Sequence, residues 1–413
     1  MKCIIIGGGI SGLATAFFIK QKYNFATIAL YEKNQELGGY ARSVQKDGYV
    51  TEHSPRVIAI GYKYFFKIVH SVPAIFEHIK VVTKKKDIGF RPKKIDLVKI
   101  VFILIKYIIT GEKTNQTFEN VVYKNFEPDI QTKYFIDNFL HKLGKGDKDL
   151  PFDLIINLMK VFLKEFTLKL HYFDLPFSEA FVKPLVQYLN IDIHTNHELK
   201  FVKYNHTKRK VEYIIVNHKL LTADKYIFAL DINSLYQFYP LPNIKALKQK
   251  SHGIQMGLLI VFNKKINIDY QYITLNTEWK PIIQLRENCF QNLTFSEWSI
   301  CLPNLYTKNK AIAYMNEQQI LHELINQINQ YFPVTINDIK YFNIWDQFYK
   351  DGHTWKSHEP YFVDFIGIEL YKPCIKTKFN NLFLVNSFSK DSEYPIWYTE
   401  SGCEAAYKCA NLI

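Results

Sequence analysis

The sequence contains few cysteines, and no two of them form the Cys-x-x-Cys pair that redox and zinc motifs use. Its 413 residues include six cysteines, none with the spacing of a zinc ligand set. His353 and His358 lie outside the His-Glu-x-x-His register, so no metal site is predicted. This scarcity of cysteine favours a reducing compartment and argues against a disulfide-linked secreted fold.

Long apolar runs, internal repeats and low-complexity linkers are also missing. The most apolar segment, residues 97–109, is interrupted by Lys99 and Lys106 and is too short and too charged to cross a bilayer. Basic residues flank it, so it suits either a helix at a membrane interface or a core helix beside a solvated basic loop. We therefore expect a cytoplasmic protein, or one in peripheral contact with an internal membrane, and not a secreted one.

Acidic residues are fewer than basic ones. The chain has 52 Lys and Arg against 39 Asp and Glu, which gives a formal net charge of +13. Such an excess favours contact with anions, such as a phosphorylated cofactor or acidic lipid headgroups, although a generally basic surface explains it equally well. No nucleic-acid partner is expected, and the oligomeric state does not follow from the sequence.

The N-terminus carries a short apolar strand followed by three regularly spaced glycines. Residues Lys2–Ile6 are typical of a strand buried on both faces of a parallel sheet. Gly7, Gly9 and Gly12 have the spacing of the dinucleotide-binding fingerprint: the first permits a tight turn, the second lets backbone approach a pyrophosphate, and the third lets a helix pack on the strand. Residues 13–22 are predicted as that helix, whose first N–H groups, with Ser11 beside them, suit a pyrophosphate.

An acidic residue downstream separates this interpretation from a secretory signal peptide, which the apolar N-terminus also resembles. The segment ATIALYEK is predicted as a second strand that ends on Glu32, twenty residues beyond Gly12, with Lys33 after it. A carboxylate at about this distance hydrogen-bonds the ribose hydroxyls of an adenosine. A signal peptide needs neither feature, so we predict a nucleotide-binding domain.

A second glycine motif follows. The stretch KNQELGGYARS contains Gly38, Gly39 and Arg42. Glycines allow close backbone approach to a ligand, and a guanidinium group suits a pyrophosphate, although an ordinary turn with a surface arginine is the alternative. The pattern resembles the second fingerprint of the flavin-containing amine oxidase, phytoene desaturase and protoporphyrinogen oxidase superfamily. The resemblance implies FAD as the cofactor, with the glycine pair close to it and the arginine on its phosphates.

Two later segments extend the resemblance over most of the chain. The stretch ELKFVKYNHTKRKVEYIIVNHKLLTADKYIFAL is predicted as alternating strands and is similar to the return of such proteins to the FAD domain; Val202 matches a valine whose backbone meets the adenine. The stretch NLFLVNSFSKDSEYPIWYTESGCEAAYKC resembles the C-terminal flavin motif of strand, loop and final helix. The resemblance implies that the N-terminal end of this helix, at Thr399 and Glu400, faces the flavin, whereas ordinary capping explains both residues equally well.

The C-terminal motif departs from the family pattern at one point. The family usually has Ala-Gly-Asp after the strand, and this chain has Val385-Asn386-Ser387. Asn386 and Ser387 are still expected beside the cofactor, but serine is shorter than aspartate and uncharged. We therefore expect FAD binding that is weaker or differently arranged.

The motifs predict an α/β protein, in which a discontinuous α+β substrate domain is inserted into a Rossmann-like FAD-binding domain. The FAD-binding domain is expected to combine residues 1–61, 195–231 and 374–413, and the substrate domain residues 62–194 and 232–373. Within the latter, NEQQILHELINQI predicts an amphipathic helix with Asn316 as its N-cap and Gln319 three residues later.

Candidates on the substrate side are fewer. The segment TEHSPRVI follows a predicted strand, and Ser54, Pro55 and Arg56 are expected to face the substrate, with Trp397 and Tyr398 as an aromatic wall. Arg56 is the one catalytic candidate: it suits a substrate anion or a flavin phosphate, and a structural salt bridge is the alternative.

The resemblance, together with the lack of a local nucleophile signature, predicts an FAD-dependent oxidoreductase. Its substrate is expected to be a small apolar molecule of isoprenoid or polyene type, changed by desaturation or a related hydride abstraction. The alternatives are a flavin amine oxidase that produces hydrogen peroxide and a flavin-binding protein without catalytic turnover.

Overall fold

The computed structural model describes the chain except for residues 60, 144–149, 165–168, 240–241, 251, 254, 291–292, 304, 306–310, 360 and 395–398. The strands are, in chain order, β1 (Lys2–Ile6), β2 (Thr27–Tyr31), β3 (Ser43–Lys46), β4 (Tyr49–Glu52), β5 (Ile79–Val81), β6 (Lys85–Ile88), β7 (His171–Phe173), β8 (Asp192–His194), β9 (Leu199–Asn205), β10 (Lys210–Val216), β11 (Lys219–Leu221), β12 (Lys225–Phe228), β13 (His252–Gly253), β14 (Met256–Phe262), β15 (Tyr272–Leu275), β16 (Ile282–Leu285), β17 (Glu297–Leu302), β18 (Ile339–Ile344), β19 (Phe348–Asp351), β20 (Thr354–Ser357), β21 (Tyr361–Phe362) and β22 (Leu382–Leu384).

The α-helices are α1 (Ile10–Lys22), α2 (Lys63–Ser71), α3 (Pro73–Phe76), α4 (Lys94–Thr110), α5 (Phe118–Asn125), α6 (Ile130–Lys142), α7 (Phe152–Lys164), α8 (Lys183–Leu189), α9 (Ile232–Phe238), α10 (Pro242–Lys250), α11 (Glu317–Asn329) and α12 (Thr399–Leu412). A π-helical turn at Ser178–Val182 leads directly into α8.

Five parallel strands form the central sheet, in the order β22-β12-β1-β2-β8. Ile6 at the end of β1 pairs with Tyr31 of β2 on one side and with Phe228 of β12 on the other. The strands come from the N-terminal, middle and C-terminal parts of the chain. The edge strand β8 lies just before residue 195, where the middle segment of the predicted FAD-binding domain begins, and β22 forms the other edge.

Both faces of this sheet are covered, which explains why β1 is continuously apolar instead of alternating. Cys3 and Ile5 pack in a core with Leu13 and Phe17 of α1 and with Cys403 of α12. On the opposite face, β1 and β2 pack against the antiparallel sheet β11-β10-β9. The predicted α/β fold class is confirmed, as are the alternating strands after residue 197 and the strand, loop and helix of the C-terminal motif.

A second sheet lies in the region predicted as the substrate domain. It has the order β18-β14-β17-β16-β15-β6 and is mostly antiparallel. Helix α11 packs against it through Ile320, Leu324 and Ile328. The predicted capping box is confirmed, since Asn316 and Gln319 each accept the backbone N–H of the other.

Helix α4 lies on the surface of the helical region formed by α2 to α8. It buries Asp96, Ile100 and Leu104 and leaves apolar side chains on its opposite face exposed. Residues 97–109 therefore pack against the helical core on one side, through Ile100 and Leu104, and expose an apolar face on the other. Among the described helices, none is long and apolar enough to cross a membrane.

Candidate cofactor and substrate site

Two positions after β1 require glycine, one in the turn that follows the strand and one inside α1. Gly7 has a φ of +106°, and its N–H donates a 2.8 Å hydrogen bond to the carbonyl oxygen of Tyr31. A Cβ atom on Gly12 would overlap the carbonyl oxygen of Gly7, so glycine is needed for α1 to approach β1 this closely. Both glycines therefore serve the fold in the way that the fingerprint predicts.

Gly9 differs from its neighbours because the protein itself leaves room for a side chain there. A Cβ atom on Gly9 would meet only Gly39, at 3.7 Å from Cα and 3.9 Å from N, which are ordinary contacts. Gly9 is also the N-cap of α1 and offers no side chain to cap the helix. The space beside it and the first N–H groups of α1 thus remain available to an anionic ligand.

The second glycine motif lies directly against the first. Gly38, with a φ of +108°, donates a 2.9 Å hydrogen bond from its backbone nitrogen to the carbonyl oxygen of Gly8. Ser11 lies against α12 near the C-terminus. A Cβ atom on Gly402 of α12 would be only 2.5 Å from the hydroxyl oxygen of Ser11. Two motifs some thirty residues apart in sequence therefore meet at the carboxyl edge of the sheet.

Glu32 is buried where β2 ends, one residue beyond the strand. Its Oε2 accepts a 2.7 Å hydrogen bond from the backbone N–H of Gly8, and its Oε1 accepts a 2.9 Å bond from that of Asn34. A carboxylate has about four acceptor positions, so both oxygens keep capacity for ligand hydroxyls. This geometry fits the predicted contact with an adenosine ribose.

A ring cluster beside Glu32 was not predicted from the sequence. The rings of Tyr31 and His194 stack with centroids 4.6 Å apart, and His197 lies 5.3 Å from His194. The backbone N–H of His197 donates to the carbonyl oxygen of Glu32 at 2.8 Å. Val202 lies farther along, inside β9, where it pairs with Ile214 and packs in the core behind the sheet.

Arg42 is buried, with 4% of its side chain exposed. Its Nη1 donates to the carbonyl oxygen of Gly39 at 2.9 Å and to Oε1 of Glu359 at 2.7 Å, and the guanidinium lies over the ring of Trp345. Burial raises the pKa of Glu359, and the arginine opposes that rise. Arg42 and the exposed Lys33 line one cleft of about 330 Å³.

Asn386 is the clearest indication that a ligand belongs at this edge. It follows β22, is 4% exposed, and neither its amide nitrogen nor its amide oxygen has a hydrogen-bond partner. Burying an amide without partners costs about 1–3 kcal/mol, so such groups are rare in folded proteins. A polar cofactor at the carboxyl edge would satisfy it, and Ser387 next to it is half-buried.

Glu400, in the first turn of α12, binds the backbone at the start of α2, a contact separate from its predicted contact with the flavin. Its two carboxylate oxygens accept the backbone N–H groups of Tyr64 and Phe65 at 2.7 and 2.8 Å, at the start of α2. Burial raises the pKa of Glu400 to about 8, and these hydrogen bonds oppose the rise. Thr399 is half-buried at the first position of the helix. The flavin contact of both residues stays a prediction, and Trp397 and Tyr398 lie outside the described residues.

Arg56 belongs to a charge cluster with the buried Glu52 and Arg286, and no local sequence pattern indicates this cluster. Its Nη2 donates to the carbonyl oxygen of Tyr40 at 2.7 Å, and its Nε lies 3.9 Å from Oε1 of Glu52. Glu52 is also paired with the buried Arg286 at 2.9 Å. Arg56 Nε has no hydrogen-bond partner, so this arginine combines a loose salt bridge with unused donor capacity.

Two titratable side chains close to this cluster are uncharged at physiological pH. Burial, reinforced by Arg56 and Arg42, lowers the pKa of His53 to about 3, so the imidazole is neutral at physiological pH. Burial also raises the pKa of Tyr272 well above its usual value, and the Tyr272 hydroxyl donates to the carbonyl oxygen of Arg56 at 2.9 Å. Ser54 and Pro55 are both half-buried beside His53.

Comparisons with known proteins agree with this geometry. The protein family described as NAD(P)-binding Rossmann-like domain matches residues 5–72 of this chain. The chain is 22% identical over 312 residues to 4,4'-diapophytoene desaturase (4,4'-diaponeurosporene-forming) of Staphylococcus haemolyticus strain JCSC1435, a match that covers 70% of this chain and 52% of the relative. It is 45% identical over 56 residues to coproporphyrinogen III oxidase of Bacillus subtilis strain 168, covering 13% and 12% respectively.

Among solved structures, cyclohexylamine oxidase from Brevibacterium oxydans IH-35A has the same fold. Its TM-score is 0.71 at 12% identity, with 99% of this chain and 98% of that chain covered. The matched part of this chain spans about half the length of the desaturase and a small part of the coproporphyrinogen oxidase.

The sheet order and the domain match define a protein with a Rossmann-like dinucleotide-binding fold. Together the matches support the flavin amine oxidase and desaturase superfamily, and the resemblance drawn from the sequence is confirmed at that level. This superfamily is of the flavin-dependent oxidoreductase type. The open space at Gly9, the buried carboxylate of Glu32 and the unsatisfied amide of Asn386 all fit FAD.

Proposed function

We propose that this protein is an FAD-dependent oxidoreductase that desaturates an apolar substrate of isoprenoid or polyene type. The observation that carries the FAD assignment is the position of the Glu32 carboxylate, buried within hydrogen-bond distance of the glycine loop. Adenosine hydroxyls suit such a carboxylate, whereas FMN has no adenosine. The similarity to a diapophytoene desaturase supports the substrate class.

In the proposed reaction, a new carbon–carbon double bond forms as the substrate loses two hydrogens, one as a hydride and one as a proton that is released to solvent. Bound FAD supplies the hydride acceptor. The chain's own contribution is to bind and orient: the glycine loop and the first N–H groups of α1 would hold the pyrophosphate, and Glu32 the ribose. Arg42, which lies on the Gly39 carbonyl and is paired with Glu359, would add positive charge close to the phosphates.

The interior near Arg56 supports an apolar rather than a highly charged substrate. His53 is neutral, Tyr272 keeps its proton, and Glu52 is engaged by Arg286. Such surroundings offer no strong base at a hydride-transfer site. The spare donor capacity of Arg56 suits an anionic group of the cofactor.

Anaerobic mixing with extracted isoprenoid lipids tests the proposal. We expect bleaching of the flavin absorbance and products with additional double bonds. Turnover of polyamines with release of hydrogen peroxide would instead identify an amine oxidase. Bound FAD that no candidate substrate reduces would indicate a flavin-binding protein without turnover.

A further inference from the structure

The outer face of α4 exposes an unusual amount of apolar surface. Six large apolar side chains, which we call the α4 face, are 43–78% exposed: Ile95, Val98, Val101, Phe102, Ile105 and Ile109. At 100° per residue they fall within an arc of roughly 120° on one side of the helix. The opposite side packs on the protein through Ile100 and Leu104. A contiguous exposed patch of this kind marks an interaction surface.

Lysines border this face. Lys94, Lys99 and Lys106 are exposed, and none of them has a carboxylate partner within the described parts of the chain. Lys99 and Lys106 instead lie over the rings of Phe126 and Tyr107. Long basic side chains beside an apolar stripe can place their charges among headgroups while the stripe enters the acyl region.

The charge pattern decides between a membrane and a second copy of the chain. The only acidic residue of α4 is Asp96, which is buried and accepts the backbone N–H of Asp129 at 3.0 Å. Two copies of the α4 face would therefore bring lysines together without acidic partners, whereas anionic lipid headgroups complement them. We propose that the α4 face is a docking surface for an anionic lipid bilayer, on which the helix lies parallel to the membrane.

Vesicle flotation tests this proposal with the full chain. Wild-type protein should float with vesicles of phosphatidylcholine and phosphatidylserine, and more weakly with phosphatidylcholine alone. Raising the salt concentration should reduce binding without abolishing it, because apolar burial is not screened. Phe102→Glu and Ile105→Glu should each weaken binding about tenfold or more, the scale expected for losing one buried large apolar side chain.

Phe25→Glu is the matched control, because Phe25 is 71% exposed in the turn between α1 and β2, far from α4 in sequence. It should leave vesicle binding unchanged. Thermal unfolding and FAD content are measured for each variant, so a folding defect or a failure of the proposed function is seen separately. Lys99→Glu and Lys106→Glu should lower binding to anionic vesicles and flatten its salt dependence.

Three results would overturn the proposal: no flotation of the folded wild-type protein, unchanged flotation of Phe102→Glu and Ile105→Glu, or equal loss in Phe25→Glu. Sedimentation velocity could give a fourth result that overturns the proposal. If the protein is a dimer that Phe102→Glu dissociates, and neither form binds vesicles, the α4 face binds a second copy instead.

Discussion

The backbone nitrogen of Gly8 donates a 2.7 Å hydrogen bond to Oε2 of Glu32, and this bond joins the loop after β1 to the end of β2. The two residues are 24 positions apart, yet both follow neighbouring parallel strands, so their meeting at one sheet edge follows from the topology. The carboxylate therefore has two roles, one in holding the loop and one toward the proposed ligand.

Replacing Glu32 should separate these roles. Glu32→Ala should weaken FAD binding by about 1.5–3 kcal/mol, or roughly 10- to 150-fold, the range for a hydrogen bond to a charged group. Glu32→Gln keeps an acceptor for the Gly8 N–H and should preserve more of the stability of the FAD-free protein. Glu36→Ala, at an exposed position nearby, is the control. Fluorescence titration with FAD measures each affinity, and an unchanged value for Glu32→Ala would refute the ribose assignment.

Two glycines of the same fingerprint should respond in opposite ways. Gly9→Ala should fold normally, because the added methyl group meets only ordinary contacts in the protein. It should lose FAD affinity, because the methyl group would occupy space proposed for the pyrophosphate. Gly12→Ala should destabilise the fold itself, because its methyl group would overlap the Gly7 carbonyl oxygen. Thermal unfolding without FAD compares the two. Normal FAD affinity in a folded Gly9→Ala protein would show that no ligand approaches this loop closely.

Asn386 should affect the FAD-free and FAD-bound proteins differently. Asn386→Leu removes a buried amide that has no partner, so the FAD-free protein should be equally stable or more stable. The same change should weaken FAD binding by about 1 kcal/mol or more, since the ligand loses a hydrogen bond. Melting temperatures with and without FAD give both effects. A loss of stability without FAD, with unchanged FAD affinity, would mean that ordered water or another group already satisfies the amide.

Glu400 predicts a dependence of stability on pH. Its pKa in the folded protein is about 8, above the value near 4.5 of an unfolded glutamate. The folded state therefore binds the proton more tightly, and this group's contribution is fully present below pH 4.5 and is lost as the pH rises to about 8. Chemical unfolding of the wild type and of Glu400→Gln at pH 5 and pH 8 measures it. We expect the free energy of unfolding to fall less between these two values in the variant, and an equal fall in both proteins would disprove the assignment.

The parts of the site that the sequence could predict are those formed by contiguous segments. Gly7, Gly9, Gly12 and Glu32 follow a strand–turn–helix–strand pattern whose spacing directly reflects its geometry. The predicted boundaries differ only slightly, since α1 begins at Ile10 and β2 ends at Tyr31.

Contacts between distant segments could not be predicted in this way. The Arg42–Glu359 pair joins residues 317 positions apart, and Glu400 meets Tyr64 across 336 positions. The sequence around Glu359 or Glu400 does not indicate which residue each one binds. Both pairings depend on how the helices and the second sheet pack on the central sheet. The cluster of Arg56, Glu52 and Arg286 cannot be predicted from the sequence for the same reason.

The identity and affinity of the bound flavin decide whether this protein is an FAD-binding protein. We expect that the purified wild-type protein is yellow, or becomes yellow with added FAD, and that denaturation releases FAD and no FMN. A folded protein that stays colourless and shows no fluorescence change on titration with FAD would contradict it.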